Sequence, residues 1–113
     1  MTTVNKQLVA SQKASGADTP QVFYTSPSNQ SGTIITNFTA VNDTGVTRTY
    51  KAYIVVSGGS ATVPVVPTRA IVTNRTDVPA EMAGQFIPAG GTLQMESEAA
   101  TSISWTVSGR ELS

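Results

Sequence analysis

From Gln21 onward, apolar and polar side chains alternate with a period of two, the signature of strands with one face buried, rather than with the longer spacing of a helix. The pattern is clearest over 101–108, where Ile103, Trp105 and Val107 alternate with Ser102, Ser104, Thr106 and Ser108. One face there is apolar and the other carries hydroxyls, with Trp105 as the expected centre of the core. A second alternation runs over 46–57, placing Val46, Tyr50, Ala52, Ile54 and Val56 on one face. Arg48 interrupts that face near its start, which predicts a sheet edge at that point.

Further strands are predicted at 21–26, 32–41, 69–74, 85–87 and 92–97. Turn residues fall between them. Asn42-Asp43-Thr44-Gly45 predicts a hairpin tip, because Asn, Asp and Gly tolerate the left-handed backbone. The stretches 57–60, 64–67 and 88–91 mark other reversals. Residues 78–84 have room for one short helical turn, and no longer segment has an amphipathic helical face. Six to eight strands with regular turns predict an all-β chain, an antiparallel β-sandwich of jelly-roll-like form. Residues 1–20 are polar, with little to bury, and are expected to form an extended N-terminal arm that orders against a neighbouring subunit. The sandwich domain is then 21–113.

A length of 113 residues suits this one domain. Charged residues supply 12% of the chain, about half the usual share, so hydroxyls and amides must cover the surface. Such a surface suits contact with other protein. Seven basic residues balance seven acidic ones with no run of either sign, so a nucleic acid or anionic membrane partner is not expected. No apolar stretch approaches the roughly 20 residues of a membrane-spanning helix. There is no Cys and no His, which removes the commonest nucleophile, general base and metal ligands. No catalytic, cofactor or metal site is expected, and the chain reads as a non-enzyme.

Two carboxylate patterns bear on that expectation. Glu96 and Glu98 are two apart and would share a strand face, the geometry of a cation site, or simply of a solvated strand end. Asp43-Thr44-Gly45, with Gly109-Arg110 and Leu112, resembles the paired motifs of retroviral-type aspartic proteases; the resemblance would make Asp43 catalytic, sharing a proton with its symmetry mate. Asn42, in place of the apolar run that buries the aspartate loop in that family, points to an exposed turn instead. The aromatics are too scattered for base stacking. A carbohydrate-binding module would need Tyr24, Tyr53 or Trp105 at the surface, and the alternation turns Trp105 inward.

Several segments together resemble small structural proteins of tailed-bacteriophage virions. They are Val22-Phe23-Tyr24-Thr25-Ser26-Pro27, the strand at 32–42, the strand closing on Gly-Gly at 48–59, Ile87-Pro88-Ala89-Gly90-Gly91-Thr92-Leu93, and 103–111. The likeness is one of rhythm and composition. It implies a β-sandwich without a catalytic site that works in the virion after synthesis in the host cytoplasm. The expected role is a capsid decoration (cement) protein, binding the major capsid protein as a symmetric homo-oligomer, dimer or trimer; a neck or tail component is the alternative. Edge-strand pairing with the shell or a sister subunit is the expected contact, through the N-terminal arm and the Pro-flanked 62–68 region.

Overall fold

The computed structural model describes residues 3–113. Among them nine strands run β1 (Thr3–Lys13), β2 (Gln21–Thr25), β3 (Gly32–Asn42), β4 (Arg48–Val55), β5 (Val66–Ile71), β6 (Arg75–Asp77), β7 (Phe86–Pro88), β8 (Thr92–Ser97) and β9 (Ile103–Leu112). One turn of 3-10 helix, Ala80–Met82, falls inside the short turn expected at 78–84. The strands form two antiparallel sheets in the orders β1-β9-β3-β6 and β2-β8-β4-β5, with β7 also pairing the start of β3. Together β6 and β7 fill one strand position along β3, and the result is a jelly-roll sandwich.

The core follows the alternation. Ile103, Trp105 and Val107 are buried, while the intervening Ser104, Thr106 and Ser108 are only half-buried. Trp105 sits opposite Ala40 on β3, whose small side chain leaves room for the indole. Phe23 meets it edge-on at 5.1 Å and Tyr50 at 6.2 Å. From the second sheet come Tyr50, Ala52, Leu93 and Met95.

Three expectations are corrected. Residues 3–13 do not hang free but form β1, paired with β9 from Thr3↔Leu112 to Lys13↔Ser104. Two consecutive residues, Leu8 and Val9, are both buried there because register shifts on either side of Val9 break the strict alternation. Second, Asn42-Asp43-Thr44-Gly45 is an arch between the two sheets, not a hairpin tip. The Asn42 side chain is fully buried, and its amide donates to the carbonyls of Val46 (2.8 Å) and Ile71 (2.7 Å). Its carbonyl accepts from the Thr44 N–H (2.9 Å) and hydroxyl (2.6 Å), so every hydrogen-bonding position of the amide is used. Third, β4 lies inside its sheet between β8 and β5, so Arg48 marks the start of an interior strand. The strand expected at 69–74 begins earlier, at Val66, and β6 follows separately.

Candidate assembly surface and inter-sheet latches

The residues singled out for chemistry do not come together. Asp43 is exposed and takes an ion pair from Lys13 Nζ at 3.0 Å. Gly109 and Arg110 lie inside β9 rather than in a turn, and Gly109 pairs with Ile35, seven positions down β3 from Asn42. That separation is roughly 20 Å at strand rise, so the two protease-like motifs share no site. Asp43→Asn is expected to lower stability by less than about 1 kcal/mol, the ordinary worth of an exposed ion pair, as thermal unfolding will show.

Glu96 and Glu98 also part company. Glu96 is buried and accepts the Tyr53 O–H, with Lys51 Nζ at 3.9 Å. Glu98 lies past the end of β8, exposed, and accepts the Thr49 backbone N–H at 3.0 Å. Of the three aromatics a sugar platform would need, Trp105 and Tyr53 are buried and Tyr24 is half-buried with its hydroxyl engaged.

The sequence did not reveal a repeated arrangement that the fold assembles: each of the three tyrosines donates its hydroxyl to a carboxylate that also faces a cation. On one side of the sandwich Tyr24 of β2 donates to Glu111 of β9, and Lys6 of β1 approaches the same carboxylate at 3.4 Å. The Tyr24 hydroxyl also meets Thr33 at 2.9 Å, which in turn meets Ser26 at 2.9 Å. On the other side Tyr50 of β4 donates to Asp77 of β6 at 2.5 Å. Arg69 of β5 grips both oxygens of Asp77, at 2.9 and 3.0 Å, and reaches Glu81 at 3.5 Å. Both clusters cross from one sheet to the other, so each lateral seam is latched. The third, Tyr53 with Glu96, joins neighbouring strands of one sheet.

Charge and burial set the protonation of these groups. Burial, reinforced by donation to Glu111, pushes the Tyr24 phenol up to about 12. Burial and donation to Glu96 bring Tyr53 to about 12 as well. Tyr50 moves further the same way, by burial first and then its bond to Asp77. Burial by itself would raise Asp77, but the bonds from Arg69 and Tyr50 outweigh it and hold the carboxyl below its usual range. The arrangement favours neutral phenols and an ionised Asp77. It fastens strands and presents no poised nucleophile.

On the side closed by the Tyr24–Glu111–Lys6 cluster, the outer backbone edges of β1 and β2 have no neighbouring strand among the described residues. Val4 and Val22 are half exposed there, at 54% and 51%. Beside β1, on the outer sheet face, lies an open groove of about 570 Å³ lined by Thr3, Asn5, Lys6, Thr36, Ser108 and Arg110.

No family model and no curated protein matches the chain. A solved structure from Bacillus endospore appendages, described as forming a novel family of disulfide-linked pili, is similar over 99% of this chain and 88% of that one, with a TM-score of 0.57 and 18% identity. The likeness is one of fold.

Proposed function

We propose that this chain is a non-catalytic building block of a many-copy protein assembly, joined to its neighbours through sheet edges. The observation that carries this reading is the combination of two latched seams, whose polar side chains are spent on fastening strands, with a long edge strand, β1, whose outer backbone edge has no neighbouring strand among the described residues. The fold likeness to a pilus protein supports it, and so does the charge-poor, hydroxyl-rich surface, on which many copies pack with little repulsion.

The assembly proposed is the virion of a tailed phage, with the chain as a decoration protein on the capsid shell, as the sequence resemblance implies. A filament like that of the fold neighbour is the second reading, favoured by the same likeness. Because this chain has no Cys, such a filament would hold together without the disulfides named for those pili.

A ligand that binds only the assembled shell stabilises it by about 2.7 kcal/mol per site at a hundredfold excess over its Kd, repeated over every equivalent site. Particles made without the chain are therefore expected to form with normal geometry but release their genome at a lower temperature, and purified protein added back restores resistance. Electron microscopy of the purified chain alone separates the two readings. Filaments formed from the chain alone would replace the decoration reading with the pilus-like one, and particles of unchanged heat resistance would overturn decoration outright.

A further inference from the structure

We infer that the Thr3–Gln7 half of β1 is the edge through which two copies of this chain join, strand to strand, across a two-fold axis; the inference rests on the building-block reading above. Sheet edges expose unpaired backbone N–H and C=O groups, and folded proteins guard them with proline, charge, bulges or brevity. Guards stand on every other edge of this molecule. The edge strand β5 carries Pro67, which cannot donate to a ladder. Strands β6 and β7 have three residues each, and β7 ends in Pro88. Strand β2 has five residues and a register shift between Val22 and Tyr24. The second half of β1 has shifts on both sides of Val9, with Ser11 in the left-handed region at φ 49°.

Thr3 to Gln7 differ. They pair with Leu112 to Ser108 in unbroken register, and all five are exposed. Their one charged residue, Lys6, is a weak guard because Glu111 lies 3.4 Å from its ammonium. Of the two regions expected to carry edge contacts, the segment at 62–68 is thus closed by Pro67 and the N-terminal one is open.

A second copy fits this edge without conflict. Antiparallel pairing about Asn5 sets Thr3 against Gln7, Val4 against Lys6 and Asn5 against its own counterpart. No like charges face each other, and the aliphatic stem of Lys6 lies over the exposed Val4 of the other copy. The sheet then runs on through both molecules, β3-β9-β1 meeting β1-β9-β3.

Two substitutions of opposite charge at Val4 test this, since Val4 is exposed and both variants should keep the fold, checked by circular dichroism. In sedimentation velocity over a concentration series, the wild type is expected to show a reversible monomer–dimer equilibrium. Val4→Lys places lysine against lysine at both ends of the joint and raises Kd at least tenfold, whereas Val4→Glu meets Lys6 and keeps or tightens the dimer. If neither variant moves Kd, or both move it equally, this edge is not the joint, although self-association of the wild type would keep the building-block reading alive. A wild type that stays monomeric at every concentration overturns the joint, and the building-block reading falls with it only if the chain also forms no filaments and leaves the heat resistance of particles unchanged.

Discussion

Trp105→Ala is expected to lower the free energy of unfolding by about 3–5 kcal/mol, the range for removing a large aromatic side chain from a packed core. The indole is fully buried, between sheets that bring Phe23, Tyr50 and Ala40 against it. Tyr50 is itself braced, by its stack on Phe38 at 6.4 Å and its hydroxyl bond to Asp77. The cavity would therefore persist and add its own cost to the lost transfer energy. Urea titration should show the midpoint falling with little change in slope, and the melting temperature dropping by roughly 12–30 °C. Trp105→Phe separates packing from polarity. The indole Nε1 has no hydrogen-bond partner among the described residues, so Phe sacrifices volume but no bond seen there and should retain most of the stability. A Trp105→Ala protein as stable as the wild type would mean that the two sheets do not close on this side chain.

The parts of this fold that could be read from the chain are those where burial and local period coincide. Along β9 the alternation of Ile103, Trp105 and Val107 with hydroxyl residues placed each side chain on its observed face. The same strand runs four residues further than the pattern suggested, because Gly109 and Arg110 do not look like strand residues. Gly109 is needed there for space: a Cβ would lie 2.4 Å from the Ile34 carbonyl oxygen and 2.9 Å from the Leu8 side chain. Strand β1 was hidden for the opposite reason. An edge strand is held by backbone bonds to one neighbour and exposes most of its side chains, so Thr3 to Gln7 carry the composition of a tail. Strand β6, Arg75–Asp77, has no apolar residue at all and is held by its backbone pairing with β3 and by the bonds from Tyr50 and Arg69 to Asp77. Asn42 looked like a turn residue at the surface, and only the fold shows that it is a buried tie to Ile71. The latches were illegible for a related reason. Their tyrosines and carboxylates lie 87, 27 and 43 positions apart in the chain, and no spacing rule reaches that far.

Those latches predict how the protein fails in alkali. A phenol has an ordinary pKa near 10, and here Tyr24 and Tyr53 are held up to about 12, with Tyr50 displaced further in the same direction. A raised folded-state pKa means that the folded chain keeps protons the unfolded chain has released. Stability from this source is therefore complete below about pH 10, falls as pH rises from about 10 to 12, and is lost above the folded value. The cause is local, since an ionised phenolate would sit against Glu111, Asp77 or Glu96 in a partly desolvated place. Replacing the three tyrosines with Phe tests this: the variant should be less stable at neutral pH, yet its stability should decline less steeply from about pH 10 to 12. In the wild type, the ultraviolet absorbance of phenolate is expected to appear together with the loss of the β-sheet circular dichroism signal and not before it. Phenols that ionise near pH 10 while the sheets stay intact would show that the tyrosine hydroxyls are free in solution, and that the two seams are closed by packing alone.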